Sequence, residues 1–157
     1  MTNRALSRDP RTVSHGCVEI DRNGLEVLDR HECLRLLGTA TLGRVGISFG
    51  ALPNILPVNF RLVGDEVAFR TTVGTKLDAA TCNAVVAFEV DDLDPMYHTG
   101  WSVVVLGLAR EVTDPTERRR FDVAHIPRWA PVDAQRIVAI STEMISGRRI
   151  TTMPQAR

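Results

Sequence analysis

Apolar and polar residues alternate along much of the chain. The clearest alternation spans residues 54–63, where every second position from Leu56 to Leu62 is apolar. A period of two residues is typical of a strand with one buried face. Similar stretches predict five further strands, at 42–49, 66–71, 85–90, 101–112 and 136–145. Because these strands are joined mostly by tight turns, the pattern predicts a mainly β fold, a small six-stranded antiparallel barrel.

Short helical segments interrupt the strands. Asp29 begins a stretch with apolar residues at helical spacing and a closing Gly38, which predicts a short helix. Asp114 precedes a proline and is followed three residues later by a glutamate, a combination that starts helices. This second helix is predicted to run to about Ala124. Residues 75–82 predict one or two further helical turns.

Length and composition predict one globular domain with an N-terminal arm. Residues 1–28 are polar with little periodicity, so we expect a flexible arm there and the folded domain at 29–157. The formal net charge is zero, which provides no general attraction to nucleic acid or anionic membranes. No apolar run approaches about 18 residues and no signal sequence is recognisable. We therefore expect a cytoplasmic protein with neither a membrane nor nucleic acid as its partner.

The residues that most often carry chemistry form no recognisable constellation. The three cysteines are widely spaced and odd in number, so they predict neither a disulfide framework nor a zinc site. The four histidines lack the spacing of metal ligands. No serine or cysteine has a recognisable histidine partner. We predict no metal and leave the catalytic residues unassigned, a pattern that fits a protein whose chemistry belongs to a bound cofactor.

One lysine, Lys76, stands among the 19 basic residues of the chain. It follows Gly74 at the point where the strand ending in Arg70 and Thr71 gives way to predicted helical residues. A phosphate group requires such a combination of a compact ammonium, a guanidinium fork, hydroxyl groups and a helix N-terminus. The alternative is that a biased genome removed the other lysines and this one survived by chance.

Five short motifs occur in a characteristic order and spacing. They are Pro57-Val58-Asn59-Phe60, Phe69-Arg70-Thr71 with Gly74-Thr75-Lys76, Val85-Val86-Ala87-Phe88-Glu89-Val90, Gly100-Trp101-Ser102-Val103, and Gly107-Leu108-Ala109. Together they resemble the pyridoxamine 5'-phosphate oxidase-like flavoproteins over residues 29–150. The resemblance implies the FMN-binding split barrel, a homodimer with the cofactor site at the dimer interface.

The resemblance also implies a set of cofactor-binding residues: Pro57, Val58, Asn59, Phe60, Arg70, Thr71, Thr75, Lys76, Trp101, Ser102 and Arg148. The first four would run along the isoalloxazine ring and offer it backbone groups. The Val58 and Phe60 side chains are expected to form an apolar wall for the ring. The residues from Arg70 to Lys76 would hold the phosphate and the ribityl chain, and Arg148 would reach the phosphate in the neighbouring subunit.

The expected activity is that of an oxidoreductase which transfers hydride between FMN and a small-molecule substrate. No Arg-x-His motif of the kind that grips pyridoxal phosphate in the true oxidase lies near the C-terminus, so that reaction is not expected. One alternative cofactor is the deazaflavin F420, whose acidic tail would favour Arg44, Arg61, Arg148 and Arg149. Another alternative is a non-catalytic flavin-binding or storage protein. A barrel that binds single-stranded nucleic acid is disfavoured by the zero net charge and the 5% aromatic content.

Overall fold

A computed structural model of the protein describes residues 18–73, 77–78, 81, 83–126 and 136–150. The strands and helices with defined bounds in these ranges are β1 (Glu26–Leu28), α1 (Arg30–Thr39), β2 (Leu42–Phe49), β3 (Leu52–Val63), β4 (Glu66–Thr71), β5 (Ala84–Asp94), β6 (Thr99–Glu111), α2 (Pro115–Val123), β7 (Arg136–Ser141) and β8 (Met144–Ile150). Strand β6 is the longest of them, with 13 residues.

The strands form one antiparallel sheet in the order β1-β8-β6-β5-β2-β3-β4-β7. Strand β7 also pairs with β6, from Ala109 opposite Ile140 to Glu111 opposite Val138. This pairing closes β2, β3, β4, β7, β6 and β5 into a six-stranded barrel, as the sequence predicted. Because β6 is long, its N-terminal part pairs with β8 and its C-terminal part with β7.

The barrel core follows the alternation seen in the sequence. Val58 and Phe60 of β3 point inward, while Pro57 is exposed and Asn59 is partly exposed on the opposite face. The rings of Phe60 and Phe88 meet edge to face, with 4.8 Å between their centroids. A second, smaller apolar cluster lies between α2 and the outer face of β4 and β7. The outer side chains of β4 therefore lie under α2.

The strand predicted at 136–145 is wrong in one respect, because the chain breaks at Thr142 into β7 and β8. The backbone N–H and the hydroxyl of Thr142 both donate to the carbonyl oxygen of Asp65, at 3.2 and 2.8 Å. The Arg30 guanidinium donates to the carbonyl oxygen of Thr142. These bonds hold a bend there, so β7 pairs with β4 and β8 pairs with β1 and β6.

Both capped helices are confirmed. The Asp29 carboxylate accepts from the N–H of Glu32 at 2.8 Å, and Asp114 caps α2 in the same way. Of the helical turns predicted at 75–82, Leu77 and Asp78 are helical, and the residues at 74–76, 79–80 and 82 lie outside the described residues. Neither helix in the described part of the chain is long and apolar enough to cross a lipid bilayer.

The end of the predicted N-terminal arm is part of the sheet. Residues 1–17 lie outside the described residues, but Glu26–Leu28 form β1 and pair with β8 from Arg149 to Gly147. The Asp21 carboxylate accepts from the N–H of Leu25 and from Arg148, at 3.0 Å each. The segment directly before α1 is therefore attached to the barrel and does not form a free arm.

Candidate functional site

Strands β3 and β4 separate at one end of their hairpin. Their pairing begins at Val63 opposite Glu66 and stops at Phe60 opposite Phe69. Beyond this point β3 continues along β2, whereas β4 continues along β7. Asn59 and Arg70 are the next residues on the two strands. We call the opening flanked by these two residues the β3–β4 split.

Each of the two residues that flank the split has a buried polar atom without a partner among the described residues. Asn59 Oδ1 and Arg70 Nε are buried and form no hydrogen bond with any described residue. Buried polar atoms in folded proteins are almost always hydrogen-bonded, and an unpaired one costs about 1–3 kcal/mol. An acceptor and a charged donor that remain unpaired at adjacent positions fit a polar ligand such as a phosphorylated flavin, which carries both N–H groups and phosphate oxygens.

A carboxylate on α2 anchors Arg70. Arg70 Nη2 donates to Asp122 Oδ1 at 2.6 Å, and the Arg70 side chain is only 9% exposed. The guanidinium is thus held between β4 and α2, on the outer side of the barrel. Sequence reasoning missed Asp122, because nothing in the local pattern of α2 indicates which of its polar residues faces β4.

The predicted phosphate-binding residues fall in two groups. Arg70 and Thr71 are the last two residues of β4, and Thr71 is buried. Thr75 and Lys76 lie outside the described residues, as does Gly74. The part of Thr75 and Lys76 in binding phosphate therefore stays a prediction from the sequence.

The predicted apolar wall on β3 is wrong. The Val58 and Phe60 side chains are buried in the barrel core and cannot line an external ligand site. The residues of β3 that face outward are Pro57 and Asn59. A role for the β3 backbone stays a prediction, and among the described residues no strand pairs with residues 52–59 on the edge away from β2.

The remaining predicted residues lie together in a groove on the outer face of β5, β6 and β8. Ser102 pairs with Asp91 on one side and with Arg148 on the other. With Trp101 and Arg44 they line a groove of about 400 Å³. Arg148 Nε donates to Asp21 Oδ2 at 3.0 Å, so its charge already has a partner in its own chain.

The groove carries a compact charge cluster. Arg44 Nη1 donates to Asp91 Oδ1 at 2.6 Å and to Glu89 Oε2 at 3.1 Å. Burial raises the pKa of Glu89 above its ordinary value, and the nearby Asp91 carboxylate adds to the rise. The guanidinium offsets part of this repulsion. The groove therefore places Trp101 beside two carboxylates whose charge is partly neutralised by Arg44.

The predicted residues that the structure describes lie in two separate places, the β3–β4 split and the groove around Ser102. Strands β2 and β5 lie between β3 and β6 in the sheet. With about 4.8 Å between neighbouring strands, Asn59 and Ser102 are roughly 14 Å apart across the outer face. Neither Asn59 nor Arg70 lines the groove. The split and the groove are therefore separate places on the outer face of one chain.

The described residues offer neither a metal site nor an activated thiol. No group of three or more His, Cys, Asp or Glu side chains in the described ranges is placed to hold a metal ion. Cys33 is buried, and burial raises the pKa of its thiol, with smaller contributions from Asp29 and Glu32. A thiol in this setting packs as an apolar group and is a poor nucleophile.

Comparison with known proteins identifies the family. Residues 29–149 match the Pyridoxamine 5'-phosphate oxidase family. The chain belongs to this family. An uncharacterized Mycobacterium tuberculosis protein, Rv0080, is 44% identical over 128 residues, which cover 78% of this chain and 84% of the relative.

Two solved structures of similar proteins extend the comparison. The FAD binding protein from Mycobacterium smegmatis is 36% identical, with a TM-score of 0.71 over 80% of this chain and 99% of that one. A conserved Corynebacterium diphtheriae protein of unknown function is 32% identical, with a TM-score of 0.66 over 81% of this chain and 98% of that one. The resemblance and the split-barrel fold inferred from the five sequence motifs are confirmed.

The match to the pyridoxamine 5'-phosphate oxidase family spans both places described above. It begins at Asp29, directly after β1, and ends at Arg149 in β8. It therefore includes the β3–β4 split, with Asn59 and Arg70, and the groove around Ser102. Both therefore lie within the part of the chain that matches the family.

Proposed function

We propose that the protein is a flavin-dependent oxidoreductase that binds FMN and transfers hydride between the flavin and a small-molecule substrate. One observation carries the proposal: a barrel of the pyridoxamine 5'-phosphate oxidase family holds a largely buried arginine, Arg70, at an opening between strands, and its Nε has no partner among the described residues. A buried cationic donor without an acceptor is costly, and a phosphate oxygen would satisfy it.

The residues at the split suit the two ends of a flavin nucleotide. Arg70 and Thr71 would hold the phosphate, together with Thr75 and Lys76 as the sequence predicts. Asn59 Oδ1 would accept a hydrogen bond from a donor on the ribityl chain or the ring. The flavin supplies the two-electron chemistry when bound, so the protein has to bind and orient it and to exclude water around it.

We also propose that the protein is a homodimer that shares its cofactor site between subunits. A row of small and apolar residues crosses five adjacent strands on the outer face: Ile55, Gly46, Ala87, Leu106 and Met144. Ile55, Leu106 and Met144 are 72%, 44% and 66% exposed. An apolar surface of this kind is unusual on a monomer and supports coverage by a second copy. Such a copy would bring its groove towards the β3–β4 split of the first.

FAD is the second candidate cofactor. The observation that favours it is the similarity to the Mycobacterium smegmatis protein, which is described as FAD-binding and is 36% identical to this chain. F420 has less support, because its acidic tail needs unpaired basic residues. Arg44, Arg148 and Arg149, three of the four arginines considered for that tail, already have carboxylate partners.

The test is to identify what the purified protein carries. The protein should be yellow, and gentle denaturation should release a molecule with the mass and absorption bands of FMN. Release of FAD would replace FMN with the second candidate, and release of F420 would overturn the flavin assignment. If the protein carries nothing and binds none of the three on titration, the proposal is wrong.

A second measurement separates an enzyme from a storage protein. The bound flavin should lose its absorption bands when NADH or NADPH is added without oxygen, and an acceptor should restore them. A flavin that neither nucleotide reduces and no candidate acceptor reoxidises would favour the non-catalytic alternative.

A further inference from the structure

A carboxylate stands next to the charged group that is proposed to bind the flavin phosphate. Asp122 Oδ1 accepts from Arg70 Nη2 at 2.6 Å. Asp122 is 48% exposed and Arg70 is 9% exposed, so the carboxylate lies nearer to the solvent than the guanidinium. Arg70 Nε remains without a partner among the described residues. The guanidinium is therefore paired with an internal anion at one nitrogen and open to a ligand at another.

We propose that Asp122 sets the charge of the phosphate group that Arg70 accepts. An incoming phosphate is attracted by Arg70 and repelled by Asp122 a few ångströms away. The repulsion is proportional to the charge on the phosphate, so a doubly charged group is repelled about twice as strongly as a singly charged one. Asp122 thereby acts as a specificity-determining residue that lowers the affinity for phosphomonoesters more than the affinity for phosphodiesters.

This inference rests on the proposed function, since it assumes that a flavin phosphate meets Arg70. FMN ends in a phosphomonoester that carries close to two negative charges at neutral pH. The methyl ester of FMN is a phosphodiester with one negative charge, whereas the pyrophosphate of FAD carries two negative charges on neighbouring phosphates and would not report this difference. An arginine without a neighbouring carboxylate would bind doubly charged FMN more tightly than a singly charged diester. Asp122 should reduce this difference in affinity.

A purely structural role for Asp122 predicts a different outcome. The Arg70–Asp122 pair connects β4 to α2, and α2 covers the second apolar cluster on that side of the barrel. If the pair only attached the helix, loss of the carboxylate would lower the melting temperature. Any effect on binding would then be the same for flavins with and without a phosphate.

The test compares three flavins that differ in phosphate charge. Asp122→Asn keeps the size of the side chain and a carbonyl oxygen for Arg70 Nη2, but removes the negative charge. Riboflavin, the methyl ester of FMN and FMN are each titrated against the wild-type and variant proteins. FMN should bind about tenfold more tightly to the variant and its methyl ester about threefold, since half the repulsion corresponds to the square root of the fold-change. Riboflavin affinity should not change.

Glu143→Gln is the matched control, because it changes the net charge by the same amount. Glu143 lies two residues after Ser141 in the chain. Ser141 pairs with Glu66, which is at the other end of β4 from Arg70, so Glu143 is far from the proposed phosphate site. It should leave all three dissociation constants unchanged. A similar tightening of FMN in this control would show a general charge effect and overturn the role of Asp122.

The remaining outcomes separate this inference from the proposed function. If wild-type protein prefers FMN to riboflavin but Asp122→Asn does not tighten FMN, only the role of Asp122 is wrong. An equal change for all three flavins would likewise leave Asp122 with a structural role alone. If wild-type protein binds none of the three flavins, the proposed function fails, and this inference fails with it.

Discussion

At the scale of single residues, the phosphate assignment depends on two positive charges. Arg70→Ala and Lys76→Ala should each weaken FMN binding by about 1.5–3 kcal/mol, or roughly 10- to 150-fold, because each removes a charged hydrogen-bond donor. Riboflavin affinity should stay the same, since riboflavin has no phosphate. Quenching of flavin fluorescence on titration measures both. Arg119→Ala, which changes an exposed arginine of α2, is the control. Unchanged FMN affinity in both variants would remove the phosphate from this site.

Gly107 is required where β6 passes the bend between β7 and β8. A Cβ atom at this position would lie 2.1 Å from the carbonyl oxygen of Ser141. Backbone must move to admit it, so Gly107→Ala should lower the free energy of unfolding by about 1–3 kcal/mol. Gly38→Ala in α1 is the opposite case, because no heavy atom lies within 4 Å of its Cβ. It should raise stability by about 0.5–1 kcal/mol. Urea denaturation measures both changes, and equal stability of Gly107→Ala and wild type would contradict the close approach.

At the scale of elements, an ion-pair cluster joins α1 to β8. The Glu32 carboxylate accepts from Arg35 Nε at 2.7 Å and also from Arg149. The hydrogen bond from Arg35, followed by that from Arg149, lowers the pKa of Glu32 from 4.5 to about 2. A carboxyl group whose pKa is lower in the folded state stabilises the protein fully when the pH is above the pKa of that group in the unfolded chain. That stability is lost as the pH falls from about 4.5 to about 2.

Because of this cluster, the contribution of Glu32 to the free energy of unfolding should decrease at acidic pH. Glu32→Gln should be less stable than wild type at neutral pH, and the difference should shrink as the pH falls through this window. Denaturant titrations at a series of pH values measure it. Glu143→Gln, which removes an exposed carboxyl outside the cluster, is the control for the loss of one negative charge. A constant difference between Glu32→Gln and wild type down to about pH 2 would contradict the lowered pKa.

The elements that were predicted from the sequence have local signals. The alternation in β3 and the caps at Asp29 and Asp114 lie within a few residues of the structure that they specify. Strand β1 has only three residues, too few to show alternation, and it exists because β8 pairs with it. The bend at Thr142 depends on Asp65, which is 77 residues away in the chain. Such features depend on partners that a local pattern does not reveal.

At the scale of the whole molecule, the candidate site combines features that the sequence predicts with features that only the packing of the chain reveals. The family motifs predict Arg70 at a phosphate site, and the structure adds that its Nε has no partner in the part of the chain that it describes. The alternation correctly places Val58 and Phe60 on one face of β3. That face points into the barrel, whose interior is filled by core side chains, so it offers no room for a flavin ring. Asp122 is 52 residues from Arg70, and only the packing of α2 on the barrel brings the two together. Contacts to the proposed flavin would therefore come from the outer face.

The same outer face is the proposed surface of dimerisation. Its apolar row runs from Ile55 on β3 to Met144 on β8, with Leu106 near the middle. The formal net charge is zero, so no overall repulsion keeps two copies apart. Burial of this row removes apolar surface from water, and a charge placed in it would have to be buried without a partner.

Leu106→Glu should therefore convert the dimer into a monomer, as measured by sedimentation or light scattering. Val123→Glu is the matched control, because Val123 is also apolar and even more exposed, at 74%, but lies on α2 away from the row. It should remain dimeric. If the cofactor site is shared, Leu106→Glu should lose FMN affinity together with dimerisation, although Leu106 lines neither the split nor the groove. A monomeric variant that binds FMN as tightly as wild type would confine the site to one subunit, and a monomeric wild-type protein would contradict the proposed dimer.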